Sequence, residues 1–112
     1  MEVRAISKNT GVTARKVRLM VNMVRGKKVD EALTMLRFTP SPTAKLVAKT
    51  IKSAAANAEN AYQMNTADLK IVEIFADEAR TLKRFRPRSR GRVSPVLKRS
   101  SHITVIVTDE ED

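Results

Sequence analysis

Cysteine and tryptophan are absent from the 112 residues, histidine occurs once, and aromatic residues make up 4%. Without Cys there is no disulfide, thiolate nucleophile or Cys-based zinc site, and a single imidazole cannot build a His-cluster metal site. A metal- or thiol-dependent enzyme is therefore largely excluded and no cofactor is expected. Uninterrupted apolar runs never exceed three residues, so neither a transmembrane helix nor the apolar core of a secretory signal is present. The chain reads as soluble and intracellular, with no membrane partner.

What the chain has in quantity is positive charge. Its 22 Lys+Arg against 12 Asp+Glu leave a formal charge of +10. Residues 1–29 sum to +7, residues 30–79 to −2, residues 80–99 to +9 with no acidic residue at all, and residues 100–112 to −4. Two basic blocks thus flank a nearly neutral middle, a layout that suits two surfaces facing a polyanion with a core-forming body between them. Surface scaling gives roughly 6,000 Å² folded against roughly 18,000 Å² unfolded for a chain of this size, enough for one domain and too little for two.

Periodicity divides that body into helices and strands. Glu2 to Ser7 alternate weakly and suggest a short edge strand. Thr13 is a natural N-cap for a helix from about Ala14 to Arg25, in which Val17, Met20, Val21 and Val24 form the apolar stripe and Gly26 fits the left-handed position beyond the end. The opposite face carries Arg15, Arg18, Asn22 and Arg25. Charge on such a face is usually solvated, but no acidic residue lies between Val3 and Val29, which favours contact with an anion. Asp30 and Glu31 suit the positive end of a second helix, with Ala32, Leu33 and Leu36 on its apolar side. Ser41 and Pro42 open a third, longest helix to about Tyr62, with Ala44, Val47, Ala48, Ile51, Ala55, Ala58 and Tyr62 buried and Lys45, Lys49 and Lys52 on another face. Its small residues permit close approach of a neighbouring layer. Leu69 to Phe75 and Ile103 to Val107 read as strands that pair antiparallel. The expected fold is α+β, three helices packed on a small antiparallel sheet.

Between those strands lies RTLKRFRPRSRGRV, Arg80 to Val93. Arg86, Arg88, Arg90 and Arg92 recur at every second residue and share one face of an extended chain. Too little apolar surface is available to pack this segment, yet it joins two paired strands. A long projecting basic β-hairpin over 80–99, turning near Ser89 to Gly91 and reaching about 30 Å, satisfies both conditions. A disordered basic tail is the competing reading, disfavoured because the block is internal and punctuated by Pro87, Gly91 and Pro95.

Four ordered blocks then carry a resemblance: ARKVRLMVNMVRGKKVDEAL from Ala14, SAAANAENAY from Ser53, LKRFRPRSRGRV from Leu82 and LKRSSHITVIV from Leu97. Together they resemble the bacterial form of ribosomal protein L twenty-two, a large-subunit protein, over nearly the whole length. The resemblance implies a single domain in the cytoplasm on the ribosome, with a body (1–79 and 100–112) at the subunit surface and a hairpin lining the nascent-chain exit tunnel. It implies ribosomal RNA contacts at Arg15, Lys16, Arg18, Arg25, Lys27 and Lys28 on the body and at Lys83, Arg84, Arg86, Arg88, Arg90, Arg92, Lys98 and Arg99 along the hairpin. Leu82, Lys83, Arg84, Arg88, Ser89, Arg90, Gly91 and Arg92 would approach the tunnel lumen. The implied partners are large-subunit ribosomal RNA, neighbouring large-subunit proteins and the nascent polypeptide. Two other classes compete. An architectural DNA-binding protein could use a basic β-arm in the minor groove, though the chain shows no dimer seam. Enzyme activity is not expected: His102 stands without a nucleophile, paired carboxylate or ligand spacing, and fits a structural or RNA-contact role.

Overall fold

The computed structural model describes residues 2–8, 10–87 and 93–109, with 82–87 and 93–98 described by their backbone course. Elements follow in the order β1 (Glu2–Ser7), α1 (Ala14–Val24), α2 (Val29–Arg37), α3 (Pro42–Tyr62), a 3₁₀ turn (Thr66–Asp68), β2 (Lys70–Glu78), β3 (Leu82–Pro87), β4 (Val93–Lys98) and β5 (Ser101–Thr108).

Local chemistry sets the helix ends. The Thr13 hydroxyl accepts from the Lys16 N–H at 3.4 Å, satisfying one orphan donor of α1. Past its other end Gly26 takes φ +77, a backbone conformation that residues with a Cβ adopt at a cost. Asp30 and Glu31 occupy the first turn of α2. Ser41 Oγ accepts from the Thr43 N–H at 3.2 Å and Pro42 begins α3.

The buried stripe of α3 differs from expectation at four residues. Thr50 and Ala54 join it, the Thr50 hydroxyl donating to the Leu46 carbonyl at 3.2 Å so that a polar group can be buried. Tyr62, expected in the core, is 52% exposed. The reason lies one residue on: Gln63 adopts the left-handed region, its N–H and that of Met64 both reach the Ala58 carbonyl, and the reversed chain delivers Met64 to the core. Ala48 is half-buried.

The main sheet runs β1-β5-β2, with β5 antiparallel to both neighbours. The expected pairing of the two later strands therefore holds, and the C-terminal strand is central, which explains why burial runs along both its faces. A bulge between Ile71 and Glu73 leaves Val72 extra in β2. Without it, alternation would split Ile71 from Ile74 and Ala76; with it, all three face the helices and are buried. Val29 N–H to Leu69 O (3.0 Å) and Ile71 N–H to Lys27 O (2.9 Å) add the α1–α2 connection to the outer edge of β2. Helices α1 and α3 lie against the sheet and α2 packs on α3, so that Val17, Val21, Ala32, Ile51, Ala58, Ile74 and Val105 belong to one core.

Beyond Glu78 the ladder continues as a separate two-stranded ribbon, with β3 antiparallel to β4 from Leu82↔Lys98 to Pro87↔Val93. Ala79 N–H donates to Ser100 O at 3.0 Å, and the next pair is Leu82↔Lys98. Arg80 and Thr81 thus stand against Arg99 alone, an unequal count that interrupts the ladder between the main sheet and the ribbon. The expected turn near Ser89 to Gly91 and the arginines at 88, 90 and 92 lie outside the described residues. The molecule measures 63 × 26 × 21 Å. Its exposed area of 7880 Å² exceeds the roughly 6,000 Å² of a compact chain of this size, as a projecting ribbon requires.

Candidate nucleic-acid interface

Helix α1 lies alongside β2, and the two ends of the helix place its cations differently. At its start, the preceding loop is tied to the ribbon base: Thr10 N–H donates to Ser101 O (3.0 Å), the Thr10 and Ser101 hydroxyls share a bond of 2.8 Å, and Gly11 N–H donates to Ser100 Oγ (2.9 Å). These bonds bring the first turn of α1 against residues 78–81 and 99–100. The result is a cleft of about 410 Å³ whose lining includes Arg15, Thr81 and Arg99, with Glu78 as its one acid. No acidic residue occupies the first turn of α1, so the positive end of the helix dipole adds to the field there. Arg15, Lys16, Arg80 and Arg99 are exposed, and no ion pair engages them among the described residues.

From the middle of α1 to its C-cap the cations behave otherwise. Arg18 Nη2 donates to the Ala76 carbonyl and Arg25 Nη2 to the Ile74 carbonyl, both at 3.1 Å. Arg25 Nη1 also donates to Asn22 Oδ1 at 2.9 Å. Ile74 and Ala76 are two residues apart, so their carbonyls share one edge of β2. The two guanidiniums therefore cap an open strand edge, a part that helical spacing alone did not suggest. Their remaining N–H groups stay toward solvent, so this engagement leaves an anion contact open.

At the far end, about 16 Å along the helix axis, Lys27 Nζ sits 3.8 Å from Glu31 and Lys28 precedes α2 opposite Lys70. The six cations expected on the body consequently divide into a pair at the ribbon base, a pair on the strand edge and a pair at the opposite end. On the ribbon, Lys83, Arg84 and Arg86 stand in register with Leu97, Val96 and Ser94, and Lys98 with Leu82. Arg88, Ser89, Arg90, Gly91 and Arg92 lie outside the described residues. Arg80, in the same acid-free block, is exposed beside the ribbon base. His102 stands opposite Asp77 in the main sheet, among structural residues.

The two basic blocks, separated by fifty residues of chain, thus meet at the ribbon base, where Arg15 and Arg99 line one cleft. Residues 5–108 match the family described as ribosomal protein L22p/L17e. The chain belongs to that family. A large ribosomal subunit protein uL22 of Dehalococcoides mccartyi is 74% identical over 109 residues, 97% of this chain and 100% of the relative. That of a Thermoanaerobacter species is 51% identical over 111 residues, 99% and 100% of the two chains, and that of Pediococcus pentosaceus 48% over 109 residues, 97% and 92%. Family membership leaves the architectural DNA-binding reading without support.

Proposed function

We propose that this chain is a structural constituent of the large ribosomal subunit that binds ribosomal RNA through the strip joining α1 to the ribbon and lines the nascent-polypeptide exit tunnel with the ribbon. The meeting of Arg15 and Arg99 in one cleft is the observation that carries it, because it turns two basic blocks into one surface. RNA binding there is charge neutralisation: each phosphate paired by Arg15, Lys16, Arg99 or the ribbon cations releases counterions and lets RNA segments approach that would otherwise repel. Arginine suits the task, since its planar fork meets phosphate in two bonds and stacks on bases. Leu82, Lys83, Arg84 and residues 88–92 are the part assigned to the tunnel wall, where the nascent polypeptide passes. Neighbouring large-subunit proteins complete the surroundings of the body, and the role involves no catalytic step.

Deleting residues 86–92 and purifying large subunits tests the division of labour. The body should still be incorporated, while chemical footprinting of the tunnel wall changes. An unchanged tunnel footprint would remove the ribbon from the tunnel.

A further inference from the structure

Residues 30–79 sum to −2 and look neutral along the sequence, but the fold sorts their charges. Four of their five cations, Arg37, Lys45, Lys49 and Lys52, surround one groove between α2 and α3, together with only one of their seven acids, Asp30. The groove holds about 590 Å³ and has an apolar floor of Leu33, Leu36 and Ala48. Lys45, Lys49 and Lys52 lie one turn apart, about 6 and then 4.5 Å along the axis, so they present a row of ammonium groups rather than a scatter. Between Pro42 and Ala58 the helix has no acid to pair with them. Among the described residues, no hydrogen bond or ion pair engages the side chains of Arg37, Lys45, Lys49 or Lys52.

A second observation comes from an aromatic residue. Phe38, at the end of α2 between the groove-lining Arg37 and Thr39, is 77% exposed. Its ring does not line the groove itself, but both of its neighbours in the chain do. A row of cations, with an exposed aromatic ring next in the chain to groove-lining residues, offers a single strand of nucleic acid two kinds of contact: ammonium groups for its phosphates and a ring for an unpaired base.

We propose that the α2–α3 groove is a second RNA-binding surface, separate from the strip at the ribbon base, taking a single-stranded or looped RNA segment. Lys45, Lys49, Lys52 and Arg37 neutralise its phosphates and Phe38 stacks one unpaired base. This rests on the RNA-binding reading above and extends it to residues that reading does not use.

The test is equilibrium binding of the full chain to an in vitro transcript of large-subunit ribosomal RNA across a range of KCl concentrations. The variant Lys45→Gln/Lys49→Gln/Lys52→Gln should lower the slope of log affinity against log salt by about 2, the loss of three single-strand phosphate contacts. Phe38→Ala should weaken binding about tenfold at an unchanged slope, and Phe38→Tyr should restore it. All four side chains are exposed, so melting temperatures should match the parent. If both groove variants bind like the parent while deletion of 86–92 weakens binding, the groove is not an RNA site and the RNA-binding reading survives. If all three bind like the parent, that reading itself fails. Poor incorporation into subunits with unchanged RNA affinity would assign the groove to a neighbouring protein and overturn the proposal.

Discussion

Replacing Arg25 by Ala removes one hydrogen bond to the Ile74 carbonyl and one to Asn22. The Asn22 bond is exposed and contributes little, because water replaces it. The Ile74 bond is half-buried on the edge of β2, and its loss leaves a carbonyl with poorer access to solvent. A net hydrogen bond is worth about 1 kcal/mol, so Arg25→Ala should cost about that much, and Arg18→Ala, with its single bond to Ala76, about the same. For a domain of this size 1 kcal/mol corresponds to roughly 4–5 °C in melting temperature. The double variant should lose close to 2 kcal/mol if the sites are independent, and a departure would measure their coupling along the shared strand edge. Arg15→Ala and Lys16→Ala, whose side chains engage nothing among the described residues, should stay within about 0.5 kcal/mol and instead reduce the salt slope of RNA binding by about 1 each. Thermal unfolding followed by circular dichroism reads the first effect and RNA titration the second. If Arg25→Ala melts with the parent, or if Arg15→Ala melts as early as Arg25→Ala should, the division of α1 into strand-capping and anion-facing cations is wrong.

Other outcomes follow from the same structure. Gly26→Ala meets no heavy atom within 4 Å of the new Cβ, so its cost of about 1 kcal/mol should be purely the φ +77 backbone, and Gly26→Asn should recover part of the lost melting temperature. Ala58 is fully buried, and Ala58→Leu should overpack the helix against its neighbours and cost about 1–3 kcal/mol by urea unfolding, whereas Tyr62→Ala should be nearly neutral. Thr13→Ala should cost about 1 kcal/mol through the lost cap; an unchanged midpoint would mean that the 3.4 Å contact does not form in solution. Exchanging residues 88–92 for Asn-Gly should leave the body's melting temperature unchanged and lower the RNA salt slope by about 2, since three arginines are removed.

Much of the fold was legible because its signals are local. Thr13, Gly26, Ser41 and Pro42 each act on the backbone within a few residues, so the ends of α1 and the start of α3 could be read directly. Tyr62 escaped because the left-handed residue that ends α3 is Gln63, without the glycine that usually marks such a turn. The bulge at Val72 escaped as well, because strict alternation has no mark for an extra residue. It is visible only once β5 supplies the opposing register.

By itself the sequence determined the class of partner and where along the chain the charge for it lies. Charge sign is a property of composition, and an acid-free internal run of nine cations between two strands leaves few arrangements other than an exposed basic arm. Only the tertiary structure decided which cations share a surface. Arg15 and Arg99 are brought together by hydrogen bonds between residues some ninety positions apart, Arg18 and Arg25 are directed to strand carbonyls, and Lys45 is set across a groove from Arg37. These are distances in space, fixed by packing and register, and no local pattern along the chain encodes them.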